Sequence, residues 1–400
     1  MSELYELPDG WEWKKLVDKE VCKLIMGQSP KSDTYNTDKK GMPFFQGKTE
    51  FGKIYPTVVK YCTAPKKIAE IGDILLSVRA PVGPTNIANI QCCIGRGLGA
   101  IRPNIDNTLT NYLLYFFRNF EVEISQKGKG STFSAITKKE LENTDIPLPP
   151  LPEQKRIVSK LDNLFEKIDK SIALHQKNMD EADLFIGSVL NDVFGELEEK
   201  YTIVKVEDIA KIKGGKRLPK GKKLLEKQTS YPYIRVADFL NIGTINLDKI
   251  HYITNDVYEV IKNYTITSND LYISIAGTIG KTGIIPKELD GANLTENAVK
   301  LVYITNDIDN KYIYFLTNSK QFKDRIGLAT KTVAQPKLAI KRLAEVLLPF
   351  PPLNIQQNTV KYLDKISEKT EKVKLIQKEK MDNLISLKAS ILDKAFRGEL

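Results

Sequence analysis

At residues 277–282 the chain reads Gly-Thr-Ile-Gly-Lys-Thr, the ending of a phosphate-binding loop. Such a loop needs four residues between its glycines so that successive N–H groups wrap the phosphates; only two stand here. The matching stretch of the first half, residues 80–85, reads Ala-Pro-Val-Gly-Pro-Thr, with proline in place of the lysine. ATP is not expected at this loop. Residues 95–99, Gly-Arg-Gly-Leu-Gly, suggest a dinucleotide or S-adenosylmethionine turn, yet no acidic ribose ligand follows about 20 residues on. The second half has Gly-Ala-Asn-Leu-Thr-Glu-Asn-Ala at 291–298, without those glycines, so a simple turn is the better account. The Asn-Pro-Pro and Asp-Pro-Pro tetrapeptides that grip a target amine are absent from the sequence. The two histidines, His175 and His251, lie far apart without metal-ligand spacing, and Glu198 and Glu199 read as solvated linker charges. These residues predict neither a catalytic group nor a metal site.

Binding chemistry is better supplied. Between Lys213 and Lys227 stand seven basic residues (Lys213, Lys216, Arg217, Lys220, Lys222, Lys223, Lys227) against one acid, Glu226. Gly214, Gly215, Pro219 and Gly221 punctuate the run and predict a loop able to follow a phosphate backbone. Its first-half counterpart, residues 27–32, is polar and less basic, with Gln28, Ser29 and Lys31. A second matched pair carries Lys127 and Lys129 in the first half and Lys331 in the second. Expected base readers are Gln28, Ser29 and Arg79 in one half, and Arg217, Arg235 and Lys281 in the other. The 60 Lys+Arg against 50 Asp+Glu leave +10, which favours a polyanionic partner.

The elements that must hold these loops occur twice. Leu-Pro-Pro-Leu-Pro-Glu-Gln at 148–154 returns as Phe-Pro-Pro-Leu-Asn-Ile-Gln at 350–356. A long periodic stretch follows each copy, and Leu161 precedes Leu363 by the same 202 residues that separate Phe194 from Phe396. The proline cluster stops any earlier element and suits a helix start. Apolar steps of three, four or seven residues then run through Ile157, Leu161, Leu164, Ile168, Ile172, Met179 and Ile186. The second stripe comprises Val360, Leu363, Ile366, Val373, Met381, Leu384 and Ile391. Each stretch is long enough for roughly 65 Å of helix, more than one small body can cover, so an antiparallel coiled-coil pair is expected.

The predicted organisation is body (1–150), helix (151–199), body (200–352), helix (353–400), an α+β pseudo-two-fold repeat with two mixed α/β bodies. Strand-like runs stand at 57–61 and 74–78 and a helical run at 113–117 in the first body. In the second, 269–274 and 311–316 repeat the landmarks.

Four hundred residues allow two or three domains, each with its own core. Cys22, Cys62, Cys92 and Cys93 form no Cys-x-x-Cys pair and read as buried thiols of a reducing cytoplasm. The opening Met-Ser-Glu-Leu-Tyr-Glu predicts no secretory signal, and no apolar run approaches 18 residues, so no membrane span is expected.

The two Pro-Pro-Leu helices, the divergent bodies, the Asp-Gly-Trp-Glu-Trp at 9–13 and the Ser-Ile-Leu-Asp-Lys-Ala-Phe-Arg-Gly-Glu-Leu at 390–400 together resemble the specificity (S) subunit of type I restriction–modification enzymes. The resemblance covers essentially the whole chain. It implies two target-recognition domains, each reading one half of a bipartite, asymmetric double-stranded DNA site, and a helix pair serving as ruler and dock. The implied partners are two methyltransferase (modification) subunits and potentially restriction (motor-nuclease) subunits. It implies no catalysis by this chain and no cofactor of its own, with S-adenosylmethionine, ATP and Mg on the partners, in the cytoplasm. Two other classes stay open: a self-sufficient DNA methyltransferase with duplicated recognition, which S-adenosylmethionine binding would reveal, and a protein-only coiled-coil scaffold, which a DNA-shift assay would separate.

Overall fold

The computed structural model describes residues 5–121, 135–328 and 338–400. It divides into two compact units, Met1–His175 with Glu379–Leu400, and Gln176–Lys378. The units cut both long helices, Leu151–Lys200 and Leu353–Arg397, so each holds a globular body and one half of each helix. Residues 379–400 pack in the core of the first body, as antiparallel pairing of the two helices requires.

The strands of the first unit are β1 (Glu12–Lys15), β2 (Cys22–Met26), β3 (Tyr35–Asn36), β4 (Met42–Phe45), β5 (Lys60–Cys62), β6 (Ile68–Ala69), β7 (Ile74–Ser77), β8 (Thr85–Ile87), β9 (Cys92–Ile94), β10 (Leu98–Pro103) and β11 (Asp145–Leu148). They form a β1-β11 pair, a four-stranded sheet ordered β2-β10-β7-β8 and a five-stranded sheet ordered β3-β5-β4-β9-β6. Alternation along a strand sends successive side chains to opposite faces, and β7 uses both. Ile74 and Leu76 enter a core with Tyr112–Phe117 of the helix Thr110–Asn119, while Leu75 enters another with Phe45, Ala69 and Cys92. The strand expected at 57–61 forms later, at β5, with residues 57–59 outside it.

In the second unit the strands are β12 (Ile203–Lys205), β13 (Ala210–Gly214), β14 (Pro232–Ile234), β15 (His251–Tyr252), β16 (Thr265–Ile266), β17 (Leu271–Ser274), β18 (Thr282–Ile284), β19 (Ala292–Leu294), β20 (Ala298–Tyr303) and β21 (Leu347–Pro349). The plan recurs: a β12-β21 pair, a sheet ordered β13-β20-β17-β18 and a sheet ordered β15-β14-β19-β16. β17 splits its faces as β7 does, Leu271 and Ile273 to one core and Tyr272 to another.

Each long helix starts on a buried glutamine. Gln154 accepts from Leu109 N at 2.9 Å and donates to Asn107 O and Pro149 O, both at 2.8 Å. Gln356 repeats this on Asp309 N at 3.0 Å, and on Asp307 O and Pro351 O at 2.9 Å. The amide closes the prolines against the loop before the body's helix, leaving none of its polar atoms bare in an apolar setting. Each long helix carries a buried phenylalanine in its C-terminal part, one residue before the end in one helix and six before it in the other. Phe396 lies 5.2 Å from the Tyr112 ring in the first unit, and Phe194 lies 5.5 Å from the Tyr312 ring in the second.

Within each unit the two half-helices run antiparallel. In the first, Asp169 pairs with Lys388 at 2.8 Å and Arg156 donates to Leu400 O at 2.8 Å. Ile157, Leu161 and Ile168 are buried there, with Leu164, Ile172, Leu384 and Ile391 packed around them; Met381 is half-buried. In the second, Asp183 pairs with Lys374 at 2.8 Å, Asn178 meets Gln377, and Val360 and Leu363 are buried. Met179, Ile186 and Ile366 are half-buried. Val373 departs from its expected pairing role, being 45% exposed. The helix turn carries the inward line through Thr370, Lys374 and Gln377, so the facing residues at this level are polar and Val373 sits one position off the line. Polar residues in such a seam cost stability and fix register.

Candidate nucleic-acid interface

The backbone makes the two bodies comparable residue by residue. Gly27 N donates to Leu98 O and Gln28 N to Ile94 O; in the second body Gly215 N donates to Ala298 O and Lys216 N to Leu294 O. Both glycines are required by close approach. A Cβ on Gly27 would lie 2.2 Å from Gly95 O, and one on Gly215 would lie 2.1 Å from Thr295 O. Gln28 therefore corresponds to Lys216 and Ser29 to Arg217. The parallel β4–β9 and β14–β19 ladders, continued by Gly95 N to Phe45 O and Thr295 N to Ile234 O, likewise equate Gln46 with Arg235 and Arg96 with Glu296.

Three separate loops thus converge on one place in each body, with different chemistry. In the first, Ser29 Oγ accepts from Gln46 Nε2 at 2.9 Å and from Arg96 N at 3.1 Å, beside exposed Gln28, Lys31 and Lys48. Tyr35 supports this loop from beneath by donating to Pro30 O at 2.8 Å. In the second, Arg217 Nε donates to Glu296 Oε1 at 2.7 Å, and Glu296 Oε2 accepts from Thr295 Oγ1 at 3.1 Å. Burial pushes the Glu296 carboxyl up, but the Arg217 bond, then a bond from its own backbone N–H and the Thr295 bond, outweigh it and hold the group below its ordinary value. Tyr233 fixes the loop by donating to Lys216 O at 2.8 Å, and Lys216 Nζ sits 5.3 Å over the Tyr264 ring. Leu218, Leu224, Tyr233 and Arg235 complete an open pocket of about 390 Å³ beside Arg217.

The remaining candidates are distributed as follows. Lys213 belongs to β13 opposite Lys300, not to the loop expected from 213 to 227, because the strand's ladder runs through Gly214. Lys220 and Lys223 are exposed, and Lys222 pairs with Asp256 at 2.5 Å. Arg235 is turned inward: Nη2 and Nε both bond Asp238, at 2.7 and 3.1 Å, and that carboxylate is buried. Arg79 is exposed on the β7–β8 connection. Lys281 is half-buried and donates to Phe239 O at 3.4 Å. Lys127, Lys129 and Lys331 lie outside the described residues. Gln46, Arg96 and Glu296 were missed by sequence reasoning, since only the backbone pairing of the two bodies brings them to Ser29 and Arg217.

The glycine-rich decoys resolve as turns. Ser274 Oγ donates to Thr278 O and accepts from Lys281 N at 2.8 Å, and Gly280 N donates to Ser274 O at 2.9 Å. Those N–H groups close the β17–β18 hairpin and are not presented to a phosphate. Residues 95–98 form a turn closed by Leu98 N to Gly95 O at 3.0 Å. Among the described residues no His/Cys/Asp/Glu group could hold a metal ion, and no helix is long and apolar enough to cross a membrane.

Two bodies on one backbone plan, each presenting its own polar cluster and each tied to two half-helices, define a duplicated recognition protein. The family model for the type I restriction modification DNA specificity domain matches residues 8–178 and again 198–380. The chain belongs to that family. It is 43% identical over 190 residues to a Methanocaldococcus jannaschii protein named for the MjaX type I restriction enzyme specificity subunit, spanning 48% of this chain but only 44% of that relative. With the EcoBI specificity subunit of Escherichia coli it shares 22% identity over 97% of this chain and 86% of the relative. Among solved structures, a chain from a study of complex assembly and conformational transition of the type I R-M system superposes with a TM-score of 0.75 at 22% identity, over 99% of this chain and 100% of that one. The HsdS subunit from Thermoanaerobacter tengcongensis gives 0.52 at 22% identity, over 100% and 99%. These likenesses carry the fold: two mixed α/β bodies and two long helices in an internal repeat.

Proposed function

We propose that this chain is the sequence-reading subunit of a type I restriction–modification complex, taking one half of a bipartite, asymmetric duplex site with each body. The observation that carries this is the matched pair of loop clusters: the same three backbone positions hold Ser29, Gln46 and Arg96 in one body and Arg217, Arg235 and Glu296 in the other. Identical frames with different hydrogen-bonding faces suit two different half-sites, because base edges are told apart by their donor and acceptor pattern. The flanking lysines would set register on the phosphates. Catalysis would lie elsewhere. Two modification subunits would carry S-adenosylmethionine and methylate adenine N6, on a base taken out of the stack. Restriction subunits would carry ATP and Mg, and the complex would act in the cytoplasm.

The test is to express the chain with its modification subunit in a host lacking other methylation and to sequence the methylated positions. The expected result is one motif of two unlike half-sites separated by a fixed gap. A single continuous motif, or methylation that does not depend on this chain, refutes the reading.

A further inference from the structure

Arg217 differs from every other basic residue of its loop in how it is held. Its Nε is bonded to Glu296, yet its side chain is 80% exposed while that of Glu296 is 26% exposed. Among the described residues Nη1 and Nη2 of Arg217 bond nothing, so the carboxylate fixes the root of the guanidinium and leaves its outer fork open. Glu296 is itself anchored by Thr295 in the β19–β20 turn, and the pocket beside it gives the fork a concave approach. Lys220 and Lys223, three and six positions on, would engage phosphate as point charges. By contrast, Arg235 has Nε and Nη2 closed onto Asp238.

A fork with two parallel donors matches the O6 and N7 acceptors of guanine and no other base edge as well. Restraint by a carboxylate lowers the rotamer freedom that a free arginine would lose on binding. We propose that Arg217, positioned by Glu296, reads a guanine in the half-site taken by the second body. At the position of Arg217 the first body has Ser29, paired with Gln46, so hydroxyl and amide groups stand there, and its arginine, Arg96, occupies the position of Glu296 instead. This inference rests on the DNA-reading role proposed above.

The experiment uses the full chain assembled with its modification subunits and duplexes of the methylated motif. Each guanine is replaced in turn by 7-deazaguanine, which lacks the N7 acceptor. The wild-type complex is expected to weaken at least about fivefold at one guanine of one half-site. Arg217→Ala should bind the unmodified duplex about 5- to 150-fold more weakly and show no further loss at that guanine. Arg217→Lys, which keeps the charge without the fork, should lose the same discrimination while its salt dependence stays unchanged. Glu296→Gln should retain part of the discrimination. The proposal is overturned if Arg217→Ala and Arg217→Lys respond to every analogue as wild type does, or if the half-site contains no guanine. If the wild-type complex fails to prefer its motif over a scrambled duplex, the DNA-reading role itself has failed.

Discussion

Replacing Lys220, Lys222 and Lys223 by alanine separates phosphate contact from mere solvation. Each phosphate neutralised by a lysine contributes about 0.9 to the slope of log K against log salt on duplex DNA. Three free ammonium groups would remove about 2.7 of that slope. Lys222, however, is paired with Asp256 at 2.5 Å, leaving two groups to act. Asp256 is held down to about 2, chiefly by the Lys222 bond and then by Thr254. A carboxylate with so low a pKa stays charged throughout the assay range, and the pair would be lost only as pH falls toward 2. The expected loss of slope is therefore about 1.8, so between 50 and 200 mM salt the variant should lose roughly 12-fold less affinity than wild type. The assay is fluorescence anisotropy of the complex on a labelled duplex, repeated on a scrambled one, because phosphate contacts carry no sequence information. Asp256→Asn should move the slope the other way, by up to about 0.9. Slopes that coincide for wild type and the triple variant on both duplexes refute phosphate contact by this loop.

Two further outcomes test the frame that carries the loops. Gln154→Ala and Gln356→Ala each take the acceptor from a half-buried N–H, on Leu109 and Asp309, and the donor from a buried carbonyl, on Pro149 and Pro351, and each should destabilise its own unit by about 1–3 kcal/mol in denaturant unfolding. Because the two sockets have the same three bonds, a large cost at one and none at the other refutes their equivalence. Burial pushes the Cys22 thiol up to about 12, and burial followed by neighbouring Cys93 and carboxylates does the same for Cys92. Folded thiols then keep protons that unfolded ones release, so stability is full below the ordinary thiol value and falls as pH rises above it toward 12. Alkylation by iodoacetamide at pH 8 should accordingly track unfolding, and rapid labelling of both thiols in the native protein contradicts this.

Much of the frame was legible in the chain. The prolines before Leu151 and Leu353 mark helix starts by sterics alone, and the repeat exposes residues 277–282 and 95–99 as turns by showing counterparts without the needed residues. The inward line of the second helix was not legible near Val373, since an apolar residue one step off the line draws the eye from Thr370 and Lys374. The clusters at Ser29 and Arg217 depend on three loops meeting, and Gln46 and Glu296 have no local signal. Arg235 looked free because its partner, Asp238, is three residues away in a turn that sequence does not announce. Lys213 was placed in a loop by the glycines and proline that follow it, whereas pairing with β20 decides its state.

The position of Phe396 against Tyr112 has a temporal consequence. These rings touch across 284 residues of chain, whereas the second unit draws only on residues 176–378. During synthesis the second unit can finish its core once residue 378 has emerged. The first must wait with Tyr112 and Phe116 uncovered until residues 379–400 arrive, although its own strands were made long before. Contacts of such separation close slowly, and an uncovered apolar face invites association. The half of the protein made first is thus the half completed second, and its exposed interval is set by the time needed to translate its neighbour.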